Sequence, residues 1–125
     1  MKKALVAKEV LTSAVEGDSE LYTIVWALRS FYPIETDANL IEAARKEILS
    51  QLHNGWLRVY RSPDWYSREY AVLPNEEAQR VLAQDIEFHP PPTKDDKSPR
   101  HSITATELGK TIWESGSPWM SDAEK

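Results

Sequence analysis

Leu49-Ser50-Gln51-Leu52-His53-Asn54-Gly55-Trp56-Leu57-Arg58-Val59-Tyr60-Arg61 is the stretch on which the reading of this chain turns. A helix runs into Asn54-Gly55, where a glycine reaches the left-handed backbone that closes a helix at little cost. The residues that follow, Trp56 to Arg61, alternate in the manner of a half-buried strand. A packed helix therefore passes directly into a β-hairpin.

Working outward, three helices precede the strand. Lys3 to Val15 carries Ala4, Ala7, Leu11 and Ala14 or Val15 at helical spacing and stops at Gly17. Asp18 or Ser19 is placed to cap a second helix, Glu20 to about Phe31, with Leu21, Ile24, Val25 and Leu28 on one face. Pro33 ends it, and Thr36-Asp37 caps a third, Ala38 to His53, which turns Leu40, Ile41, Ala44, Ile48 and Leu52 inward. His53 stands at its C-terminus, where a cation or donor is favoured.

Beyond the strand, taking residues 62–67 as the turn makes Arg61 face Arg68 and pairs Trp56–Arg61 with Arg68–Leu73. Leu57, Val59, Tyr70 and Val72 then share an apolar face, opposite Trp56, Arg58, Tyr60 and Glu69. Pro74-Asn75-Glu76-Glu77 opens a further helix reaching Asp85, buried through Ala78, Val81 and Leu82. Residues 89–102, rich in proline and charge, read as an exposed loop without regular structure. Ser102 to Ala105 reads as a short strand. Thr104 with Glu107 forms a capping box before a last helix bearing Leu108 and Ile112. The whole predicts an α+β architecture in one domain, residues 1–114, with 115–125 as a flexible tail.

The run Leu52-His53-Asn54-Gly55-Trp56, the hairpin and the distal Ile103-Thr104-Ala105-Thr106-Glu107-Leu108-Gly109-Lys110 together resemble the winged-helix pattern over roughly residues 19–73 and 102–113. The resemblance implies three helices, an antiparallel hairpin and a closing strand and helix. Residues 75–101 interrupt that pattern, and the presumed recognition helix sets Asp37, Glu42 and Glu47 against Arg45 and Lys46. The layout is also similar to small bacterial immunity-type proteins that stand beside toxins.

Composition bounds the function. At 125 residues the chain holds a core without staples. The absence of cysteine excludes disulfides and thiolate metal sites. No apolar run approaches the roughly 20 residues that span a bilayer, and Lys8-Glu9 interrupts the N-terminal apolar run, so a cytoplasmic location is expected. The net charge is −5, with six Lys/Arg against ten Asp/Glu in residues 74–125. Tight nucleic-acid binders concentrate positive charge, whereas an acidic domain suits a basic protein partner.

No catalytic motif is present. Gly17, Gly55, Gly109 and Gly116 never cluster into a phosphate- or dinucleotide-binding loop, and no Gly-x-Ser-x-Gly elbow occurs. His89 and His101, flanking Asp95 and Asp96, read as part of a solvated loop rather than a cation site. Neither a cofactor nor a metal is expected. The candidate partner-binding residues are Trp56, Arg58, Tyr60, Arg61, Trp65, Tyr66 and Arg68 of the hairpin, of types enriched at binding hot spots, with Glu76 and Glu77 of the following helix. Trp26 and Trp113 are assigned to the core. The expected function is a non-catalytic protein-binding module, such as an immunity-type inhibitor of a basic nuclease toxin. The alternative is a winged-helix DNA-binding regulator with helix 38–53 in the major groove.

Overall fold

In the computed structural model, which describes residues 1–17, 19–62, 70–90 and 99–116, the chain is an α+β domain. The elements run α1 (Lys3–Glu16), β1 (Ser19–Glu20), α2 (Leu21–Phe31), α3 (Asp37–His53), β2 (Leu57–Ser62), β3 (Ala71–Val72) and α4 (Asn75–Leu82). A 3-10 turn (Asp85–Phe88), β4 (Arg100–Ala105) and α5 (Glu107–Ser115) complete them. The four strands form an antiparallel sheet in the order β1-β4-β2-β3.

The helices with strong apolar periodicity form as expected. Leu21, Ile24, Val25 and Leu28 of α2 are buried, as are Leu40, Ile41, Ala44, Ile48 and Leu52 of α3 and Ala78, Val81 and Leu82 of α4. These side chains meet Leu57 and Val59 of β2, Ile103 of β4 and Leu73, which follows β3, in one core. Thr36 caps α3 by accepting from the Asn39 amide at 3.2 Å. In α1 the buried stripe is Val6, Val10, Leu11 and Ala14 rather than the alanine-led one, because valines remove more apolar area from water.

Four expectations are corrected. Ser19 does not cap α2: it lies in β1, opposite Ile103, and its hydroxyl donates to the Ser13 carbonyl at 2.7 Å. Asp18 lies outside the described residues. The hairpin register also differs. Arg61 stands opposite Ala71 and Tyr60 opposite Val72, so the pairing is displaced by an odd number of residues from one with Arg68. An odd displacement exchanges the faces of a strand. Tyr70 and Val72 are accordingly exposed on the face of Tyr60, and Leu73 takes the core position beside Val59.

The segment expected to be an exposed loop through Ser102 instead yields β4 from Arg100, the strand between β1 and β2, with His101 and Ser102 buried. Its six register pairs with β2 bury polar residues that periodicity alone assigns to solvent. Residues 91–98 lie outside the described residues. Finally, Thr106 rather than Thr104 caps α5. Its hydroxyl accepts from the Gly109 amide at 3.0 Å and donates to the Gly55 carbonyl at 2.6 Å, tying α5 to the turn after α3.

Candidate interaction surface

The arginines near α3 are held by the fold. The Arg45 side chain lies against Phe88, its guanidinium carbon 5.5 Å from the ring centroid. It donates to the Leu82 carbonyl at 2.7 Å and pairs with Glu42 at 2.7 Å and with Asp85. The Asp85 hydrogen bond, outweighing burial, pushes its pKa above the ordinary value. Arg29 binds the Glu35 carbonyl at 2.9 Å and pairs with Asp37. Both guanidiniums join elements of the fold instead of facing solvent freely.

A second polar chain crosses the sheet. Arg61 Nε donates to His101 Nε2 at 3.0 Å and its terminal nitrogen meets Glu77 at 2.8 Å, while His101 Nδ1 stands 2.8 Å from Glu87. Arginine only donates, so Nε2 must accept and Nδ1 carries the hydrogen given to Glu87. The set Glu77–Arg61–His101–Glu87 fastens α4 and the 3-10 turn to β2 and β4. With both ring nitrogens engaged, this histidine is an architectural group.

Of the residues singled out from the sequence, Arg61 and Glu77 are brought into contact. Tyr60 is buried, with Tyr70 edge-on at 5.0 Å. Trp56 is partly buried against the core, and its carbonyl accepts from the Thr106 amide at 3.0 Å. Arg58 is exposed, opposite Thr104, on the face away from Arg61. Glu76 is exposed in the first turn of α4 and Glu77 is tied to Arg61. Trp65, Tyr66 and Arg68 lie outside the described residues. Trp26 and Trp113, assigned to the core, are 58% and 38% exposed. Trp26 leans edge-on against Tyr22 on the outward side of α2, and Trp113 donates to the Thr12 hydroxyl at 3.0 Å across the α1–α5 contact.

What the sequence reading missed lies between α1 and α3. A groove of about 700 Å³ runs along the two helices, lined among others by Lys3, Val6, Asn39, Glu42, Lys46, Glu47 and Ser50. Glu47 is 8% exposed. Its Oε1 accepts from Gln51 Nε2 at 3.0 Å, Oε2 accepts no hydrogen bond among the described residues, and no ion pair reaches the carboxylate there. Gln51, fully buried, also donates to the Ala7 carbonyl at 2.9 Å, and its Oε1 has no partner among the described residues. The spacing 43, 46, 47, 50 on one helix face was available as a signal, but Glu47 reads as a solvated acid until α1 covers it.

Compared with known protein families, with characterised proteins and with solved structures, the chain matches none. Among the described residues no cluster of His, Asp and Glu could hold a metal ion. No helix there is long and apolar enough to cross a membrane.

Proposed function

We propose that the chain is a non-catalytic module that binds a basic protein partner, as an immunity-type inhibitor of a nuclease toxin would, on a winged-helix-like frame. The order α1-β1-α2-α3-β2-β3, with β4 returning between β1 and β2, is compatible with the resemblance, and α4 and the 3-10 turn then stand as an insertion between the hairpin and the closing strand.

The observation that carries the reading is the engagement of Arg45. A helix that enters a DNA groove needs cations free to meet phosphates. On α3 the arginine is held by Leu82, Glu42 and Asp85. Asp37 and Glu42, though exposed, are paired with Arg29 and Arg45, so the pull on positive charge comes from the net charge of −5 on the whole chain.

Co-expression with the products of adjacent genes tests this. One such product, basic and toxic alone, should become tolerated and co-purify in a defined complex. If no adjacent product binds while the chain takes duplex DNA at submicromolar concentration, the reading is overturned.

A further inference from the structure

We infer that the groove between α1 and α3 receives a guanidinium or ammonium side chain of the protein partner, with Glu47 as its counter-ion. This rests on the proposed function and names where its charge complementarity becomes specific. A carboxylate withdrawn from water is costly unless a cation or several donors meet it. Glu47 has one donor, Gln51 Nε2, and no cation among the described residues, although 92% of its surface is covered, as its 8% exposure states. Glu47 is among the residues that line the open groove, and its Oε2 accepts no hydrogen bond among the described residues.

The groove carries both signs of charge: Met1, Lys3 and Lys46 line it beside Glu35, Glu42 and Glu47, and the two lysines are exposed on flexible four-carbon stems that reach solvent. Neither makes an ion pair with Glu47. Asn39 and Ser50 add polar groups along the same helix face. Gln51 fixes the carboxylate from behind, holding Oε1 while anchored to the Ala7 carbonyl of α1, so the acceptor is positioned before any ligand arrives. An arginine entering with its planar fork would reach Oε2 and the Ser50 hydroxyl, neither of which a neutral side chain of the same shape would bind as strongly.

The experiment follows backbone amide resonances of the full chain during titration with a capped arginine hexapeptide. Its neutral isostere, a citrulline hexapeptide, and methylguanidinium ion serve as the two comparison probes. The arginine peptide should shift the amides of Asn39, Ala43, Lys46, Glu47 and Ser50, and the citrulline peptide should not. Glu47→Gln and, independently, Ser50→Arg, which crowds the rim, should each weaken the peptide by at least about tenfold.

Shifts that fall elsewhere, equal response to the citrulline peptide, or affinity within about twofold of wild type in both variants would overturn the inference. Methylguanidinium binding as tightly as the peptide would overturn the assignment to a protein partner and make the groove a small-cation site. A silent groove with the co-expressed partner still bound removes this inference alone. The proposed function fails separately, through the co-expression experiment.

Discussion

At Gly109 the close approach of two backbones leaves no room for a side chain. A Cβ built there would lie 1.9 Å from the Trp56 carbonyl oxygen and 2.9 Å from its carbon, both main-chain atoms that cannot rotate away. That contact seats α5 on the start of β2, beside the Thr106–Gly55 bond. Gly109→Ala should therefore cost about 2–4 kcal/mol, or prevent folding, despite alanine's better helix propensity. A melting temperature within a degree of wild type would refute the packing described. Glu47→Gln should behave in the opposite sense. The amide keeps an acceptor for Gln51 and removes a buried charge without an ion pair, so the melting temperature should rise by about 2–5 °C. A fall would mean that the carboxylate is stabilised within the free protein.

At the end of β3, neighbouring residues contrast in burial. Val72 is 56% exposed and Leu73 6%. Val72→Thr should change stability by no more than about 0.5 kcal/mol, whereas Leu73→Ala should cost about 2–4 kcal/mol. Chemical denaturation of the two variants decides the register, since the pairing of Arg61 with Arg68 would reverse their order. Periodicity made α2, α3 and α4 legible in the sequence, and Asn54-Gly55 marked the entry to β2. The face of β3 was hidden because it depends on turn length, where one residue more or less exchanges inside and outside. β4 was hidden because Arg100, His101 and Ser102 are polar and their partners lie far along the chain, Glu20 for Arg100, and Arg61 and Glu87 for His101. Of the candidate site, the acidity of α4 was readable. The groove was not, since the burial of Glu47 depends on where α1 lies and no residue of α1 announces that contact.

For the whole molecule, charge links stability to pH and to partner choice. Burial holds Glu20 above its ordinary value of 4.5, against the opposing pull of Arg100. Burial and the nearby Glu16 do the same to Glu9. The native state retains these protons to higher pH than the unfolded chain. Their favourable contribution is therefore complete below 4.5 and is lost as pH rises through the folded values. Glu20→Gln should thus gain melting temperature relative to wild type as pH is raised from 4.5 towards neutrality, and a shrinking difference would contradict that sign. The same acidic character, with Arg29, Arg45 and Arg61 held in internal ion pairs, underlies the proposed preference for a basic protein over nucleic acid. The most direct measurement is fluorescence anisotropy of a labelled DNA duplex and a labelled arginine-rich peptide, each titrated with the protein at about 0.15 M salt. Saturable binding of the peptide with no binding of the duplex is the predicted result. Submicromolar binding of the duplex, weakening steeply as salt rises, would contradict it.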